Sequence, residues 1–194
     1  MHQAALFSGK PEPSGESLDE IKREILERSV PLYPGRAFVF GMGNEHARVL
    51  VAGESPGPQD IATGEPFTGP AGDLLKRILA SIGLRYTDCW LTNVVKFVSQ
   101  GDEITPDVVS FFTPYLIREI ESVNPEIVIA IGSTPAKALL NTKKPISQIR
   151  GQMQEVNGRM VMPTFNPAYL LRDATKKKEV WDDMKMVREF LAEI

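Results

Sequence analysis

The sequence predicts an α/β fold: a three-layer α/β/α sandwich around a central four-stranded parallel sheet. Three observations point there. Four short apolar runs, at residues 48–52, 89–95, 127–131 and 160–164, have the composition of strands buried on both faces. Helical apolar spacing separates them, at residues 71–82, 106–123 and 134–140, and a last helix at 179–190 follows the fourth run. Strands that alternate with helices need crossovers, which lay helices on both faces of a parallel sheet. The length of 194 residues fits one domain, since domains average about 150 residues.

The elements follow in order. Residues 1–15 (MHQAALFSGKPEPSG) are rich in Pro, Gly and Ser and read as a mobile tail, leaving a single domain over residues 16–194. Ser17 caps the first helix, Glu20 completes a capping box, and Ile21, Ile25 and Leu26 share one face. Gly41-Met42-Gly43 precedes the first strand and lacks the third glycine of a dinucleotide fingerprint, so it reads as a turn. In an open parallel sheet the ligand crevice lies beyond the carboxyl ends of the strands. Chemistry is therefore expected just after Ala52, Val95, Ile131 and Thr164.

Composition removes several classes. With 42% apolar and 24% charged residues the chain is neither disordered nor fibrous. No apolar stretch approaches a membrane span, and residues 1–10 lack the basic-then-apolar pattern of a secretory signal. A lone Cys89 excludes an intrachain disulfide and an all-cysteine metal site. Only His2 and His46 are available for zinc, so no metal site is expected. A net charge of −3 argues against avid, non-specific polyanion binding while leaving room for a local basic patch. The expected setting is soluble, reducing and cytoplasmic.

Gly53-Glu54-Ser55-Pro56-Gly57 fits the nucleophile elbow of serine hydrolases and follows a strand, but Pro56 has no N–H to serve an oxyanion. Both histidines also precede Ser55, against the hydrolase order. What remains is a tight turn carrying Glu54, a carboxylate that either activates water or caps a loop. Residues 63–75 build a Gly/Pro-rich loop presenting Phe67, as a stacking ring or a plug over the core. Asn93 interrupts an apolar run, and an unsatisfied buried amide costs about 1–3 kcal/mol. Backbone or a ligand must therefore satisfy it; its adjacent acceptor and donors match the O4/N3–H edge of uracil, whereas cytosine presents the opposite polarity. After the fourth run, residues 163–172 place Asn166, Leu170, Leu171 and Arg172 in one projecting loop. Lys176, Lys177 and Lys178 form the one block of like charge, either a solvated face or a set of phosphate contacts.

Together these segments resemble the uracil-DNA glycosylase superfamily, most closely its family 4. The likeness rests on Gly53-Glu54-x-Pro56-Gly57, Gly64-x-Pro66-Phe67-x-Gly69-x-Ala71-Gly72-x-Leu74-Leu75 and Thr92-Asn93-Val94-Val95-Lys96. It continues through Pro114-Tyr115-Leu116, Arg150-Gly151 and Pro163-Thr164-x-x-Pro167-Ala168-Tyr169-Leu170-Leu171-Arg172. The resemblance implies a DNA N-glycosylase that flips a damaged base from single- or double-stranded DNA and hydrolyses its glycosidic bond. Carried over, it makes Glu54 and Asn166 catalytic, and gives base binding to Gly53, Ser55, Phe67 and Asn93. DNA contacts fall to Leu170, Leu171 and Arg172, with Lys176 and Lys177 beside them. A monomer is expected.

Two departures from the family pattern matter. Family 4 holds a [4Fe–4S] cluster on four cysteines, and the aligned positions here are Glu27, Val30, Phe97 and Phe112. A cluster needs thiolates, so none is expected, and the phenylalanines suggest apolar packing in its stead. The last motif normally carries a histidine that hydrogen-bonds uracil O2, and here the residue is Asn166. That change implies weak or altered-specificity excision of uracil or another deaminated base. The alternative is a module of the same fold that binds a nucleobase or nucleic acid without catalysis.

Overall fold

A computed structural model describes residues 11–97 and 104–194. Of the tail expected over residues 1–15, the first ten lie outside the described residues. The remainder runs along the body of the domain, where Asn124 Nδ2 donates to the Pro11 carbonyl at 3.0 Å and Ser14 N–H to the Glu121 carbonyl at 3.3 Å.

Helix α1 (Leu18–Ser29) opens with the expected capping box: Ser17 Oγ accepts from Glu20 N–H at 3.2 Å, and the Glu20 carboxylate accepts from Ser17 N–H at 2.9 Å. Ile21 and Ile25 are buried and Leu26 half-buried, so one stripe faces the core. The chain continues through β1 (Met42–Gly43), β2 (Val49–Gly53), α2 (Pro58–Thr63), α3 (Gly69–Ser81) and β3 (Trp90–Asn93). Then come α4 (Pro106–Val123), β4 (Ile127–Ile131), α5 (Ser133–Leu140), α6 (Ile146–Ile149) and β5 (Gln154–Val156). Strand β6 (Arg159–Thr164) leads to α7 (Pro167–Arg172) and α8 (Lys177–Glu193).

The sheet has six strands in the order β1-β3-β2-β4-β6-β5. Its inner four, β3-β2-β4-β6, are parallel and are the four expected; β1 and β5 are antiparallel additions at the edges. The four-strand expectation is corrected to that extent, and the turn expected at Gly41-Met42-Gly43 contains the short strand β1. Strands β2, β4 and β6 are buried at every position, because helices cover both faces. On one face Leu50, Ala52, Val128, Ala130 and Val161 pack against residues of α1, α4 and α5. On the other, Val51, Ile129 and Met162 meet Leu74, Leu79, Leu170 and Met184 from α3, α7 and α8. The three layers are those the sequence predicts.

Chain direction sets the site. From β2 the chain moves outward to β3, then α4 carries it back across β2 to β4. The strand order reverses between β2 and β4, and at such a switch point a crevice opens beyond the strand ends.

Candidate active site

A cavity of about 350 Å³ occupies that crevice, within the range of about 300–1,000 Å³ usual for ligand pockets. Five residues singled out from the sequence line it: Glu54 and Ser55 after β2, Phe67 before α3, Asn93 at the end of β3 and Asn166 after β6. Gly53 lies directly beneath. A Cβ there would stand 2.4 Å from Asn93 Oδ1 and 2.8 Å from the Phe67 ring, so its bare backbone lets amide and ring close over it.

Asn93 is 3% exposed, and its Oδ1 is buried without a hydrogen-bond partner. Buried polar atoms are seldom left so. The strand end carrying this amide is braced from below: Lys96 Nζ, fully buried, donates to the Asn93 carbonyl and to Thr92 Oγ1, both at 2.7 Å. Glu119 of α4 completes the brace, its Oε1 at 2.5 Å from the ammonium. Burial pulls the Lys96 ammonium below the usual lysine range.

Phe67 sits at φ +58°, a left-handed conformation costing a bulky residue about 1–3 kcal/mol. Three contacts hold it there. Tyr86 Oη, on the turn before β3, donates at 3.3 Å to the carbonyls of Pro66 and Phe67, and burial raises its phenol well above the usual value, keeping the proton. Gly72 leaves room for the Phe67 carbonyl, which an added Cβ would meet at 1.6 Å. Asp60, buried in α2, accepts from Gly57 N–H at 2.8 Å and from Thr68 N–H and Oγ1 at 2.7 and 2.6 Å. One carboxylate thus ties the Glu54 turn to the Phe67 loop. Hydrogen bonds to a charged group contribute about 1.5–3 kcal/mol each. Asp60→Ala is accordingly expected to lower the urea-unfolding free energy by about 3 kcal/mol and to raise KM for a DNA substrate; unchanged values for both contradict the tie.

Across the switch point, Thr134 of α5 donates a hydrogen bond to the Glu54 carboxylate, which is otherwise exposed at the cavity mouth. Asn166 is the N-cap of α7, its Oδ1 accepting from Ala168 N–H at 2.8 Å. That bond orients the amide and leaves Nδ2 as its remaining donor.

The residues expected to meet DNA divide. Leu170 is 1% exposed and packs in the core beneath α7, so it is no wedge; Leu171, at 50%, and Arg172 are exposed beside it. Lys176 is bound to Glu179 at 2.7 Å and Lys178 to Asp182 at 3.2 Å, while Lys177 is exposed. Arg150 of the Arg150-Gly151 pair is structural: it bonds buried Asp183, which also accepts from Thr164 Oγ1 at 2.6 Å at the end of β6. Cys89 is buried and its thiol is pushed up to about 12, an inert packing group.

Sequence reasoning passed over Asp60, Thr134, Tyr86 and the Lys96–Glu119 pair. Thr134 had a signal, since the strand-end rule points just past Ile131. Asp60 had a weaker one, an acid three residues after Gly57 in the capping position of a helix.

Sheet, switch point and cavity define a class: an α/β protein whose switch-point pocket is walled by an aromatic ring and an oriented amide. The model of the uracil DNA glycosylase superfamily matches residues 40–185, and the chain belongs to that family. It is 36% identical over 185 residues to a Type-4 uracil-DNA glycosylase of Archaeoglobus fulgidus, covering 90% of this chain and 93% of that one. It is 34% identical to a Type-4 uracil-DNA glycosylase of Thermotoga maritima, covering 91% and 96%. A DNA polymerase of Bacillus phage SP01 is 29% identical over 153 residues, 78% of this chain but 16% of the polymerase. Membership makes the chain a hydrolase of the DNA N-glycosylase type, a base-excision repair activity. Among the described residues no helix is long and apolar enough to cross a membrane, and no group of three His, Cys, Asp or Glu could hold a metal ion.

The residues aligned with the cluster cysteines of family 4 do not fit an iron–sulfur group. Glu27 and Val30 are exposed; Phe97 and Phe112 are buried with ring centroids 5.7 Å apart in an edge contact. Tyr33 adds a third ring, 4.8 Å from Phe97. Aromatic edges occupy the place where thiolates would be needed.

Proposed function

We propose that this chain excises uracil, or another deaminated base, from DNA weakly or with altered specificity. The buried Asn93 amide, on a residue that lines the cavity and with its Oδ1 unpartnered, carries the reading. That oxygen accepts from uracil N3–H while Nδ2 donates to O4, and cytosine, with a ring-nitrogen acceptor and an amino donor, leaves both unmatched. Phe67 stacks on the extruded base, and Gly53 and Ser55 floor the pocket. As the bond from N1 to the sugar C1′ breaks, its electron pair passes to the base, and charge grows on O2. Asn166 Nδ2 is the donor facing that charge, and a preorganised donor of this kind is the largest single contribution in such sites. Glu54, held by Thr134, directs a water to the cationic C1′ and takes its proton as the new C–O bond forms.

An asparagine amide reaches less far than an imidazole, which supports slower release than the family histidine would give. The same substitution favours the second reading, a binder without catalysis. Leu171 and Arg172 fill the vacated position in the stack. The protein works as a monomer in a reducing, cytoplasmic setting without a cluster. The test is release of free base from a uracil-containing single strand, wild type against Asn93→Ala and Glu54→Ala. Release by wild type well above both variants is expected. Tight, uracil-selective binding with no release establishes the second reading instead, and neither binding nor release removes both.

A further inference from the structure

A second cleft, of about 190 Å³, shares α3 and α7 with the base pocket. Asn166, the N-cap of α7, borders the pocket and Leu170, four residues on, borders the cleft; Gly72 and Leu74 of α3 divide in the same way. The cleft runs between α3 and α8. Its floor is apolar, from Leu74, Ile78 and Met184, and its wall is the indole of Trp181, 40% exposed. Two cations, Arg77 and Lys177, stand at its edge, and no carboxylate lines it.

The cations distinguish this cleft from an ordinary exposed apolar patch. Neighbouring Lys76, Lys176 and Lys178 are each engaged with a carboxylate, at 3.6, 2.7 and 3.2 Å. Arg77 and Lys177 make no ion pair among the described residues. A flat apolar slot with an exposed indole, flanked by two uncommitted cations, is complementary to an unstacked nucleobase with its adjoining phosphates.

We infer that the Trp181 cleft is a second nucleobase subsite, holding a base of the same DNA strand next to the one in the Asn93 pocket. The base stacks on the indole, and Arg77 and Lys177 take the phosphates on either side. The placement rests on the glycosylase reading, which puts the scissile nucleotide in the first pocket. It gives an acidic protein a local grip on single-stranded DNA that its net charge of −3 would otherwise oppose.

The chain has two tryptophans, and Trp90 is buried, so the Trp90→Phe protein reports Trp181 alone. Titration with a uracil-free oligothymidylate is expected to quench its emission saturably, with an apparent affinity that falls as salt rises. Trp181→Ala should weaken binding of the strand, followed by anisotropy, by about 5- to 150-fold, the range found for base–aromatic stacking. Arg77→Ala with Lys177→Ala should flatten the slope of log affinity against log salt by about 1.4, since each phosphate contact on a single strand contributes about 0.7. Should Trp90→Phe fail to fold, wild type against Trp181→Phe reads the same quench. Binding by anisotropy without any change in Trp181 emission, or no binding at all, overturns the subsite. Uracil release from a matching strand is scored separately. Release without quenching refutes the cleft and keeps the glycosylase reading; quenching without release does the reverse.

Discussion

Replacing Asn166 by histidine is expected to raise the single-turnover rate of uracil release by about 10- to 100-fold. Losing an oxyanion-type donor altogether costs about 100- to 1,000-fold, and Asn166, which lines the cavity, retains an amide donor, so the recoverable part is smaller. The local geometry suits the exchange. Asn166 Oδ1 accepts from Ala168 N–H at 2.8 Å as the cap of α7. A neutral imidazole can accept the same N–H at Nδ1, which fixes the tautomer with the proton on Nε2, the nitrogen that reaches farther into the cavity. The cap is preserved while the donor moves closer to the departing base. A rate unchanged or lowered in a folded Asn166→His protein shows that another feature of the pocket limits release.

The second large effect lies underneath the site. Lys96→Met alone is expected to destabilise the protein by about 3–5 kcal/mol, because Glu119 is then left buried and unpaired. For a chain of this size that lowers Tm by about 6–20 °C. Lys96→Met combined with Glu119→Leu should restore most of the stability, since buried ion pairs are commonly replaceable by apolar groups of similar volume. Base release should nevertheless stay slow in the double variant, because the Asn93 carbonyl has lost its donor. The pH dependence has a definite sign. The folded lysine titrates below its ordinary value near 10.5, so between the two values the unfolded chain binds more protons and wild-type stability rises with pH. That rise should vanish in the double variant. A double variant as unstable as the single one contradicts the account.

How much was legible beforehand follows the range of the interactions. Helix α4 begins and ends where the sequence predicts because its signals are local: Thr105 caps it, Pro106 suits its first position, and Asn124 stops it at φ +51°. Strand β4 matches for a similar reason, a run of Ile and Val with Ala buried on both faces. The edge strands escape periodicity altogether, since β1 has two residues and β5 three. Only β5 leaves a mark: Asn157-Gly158, at φ +50° and +73°, is a two-residue hairpin turn between it and β6. In the site, Asn93 shows itself as a polar residue amid apolar ones. Asp60 shows only its place three residues after the capping Gly57, and Lys96 shows nothing, because an acid in a short helix and a lysine past a strand read as solvated. Their burial depends on Thr68 and on Glu119 of α4, distances that no local pattern encodes. Leu170 errs the other way: the segment that reads as a projecting loop folds instead as helix α7, and nothing local tells its buried Leu170 from the exposed neighbour Leu171.

The left-handed Phe67, fastened by Asp60, Tyr86 and the bare Gly72, has a kinetic consequence. Its unfavourable backbone is settled once, while the chain folds, and not at every encounter with a lesion. Under the proposed function the receptor then stands ready, and how often a base is captured would depend on how readily the nucleic acid itself opens. Mispaired and single-stranded positions, which open most easily, would then be served first without any gate having to tell them apart.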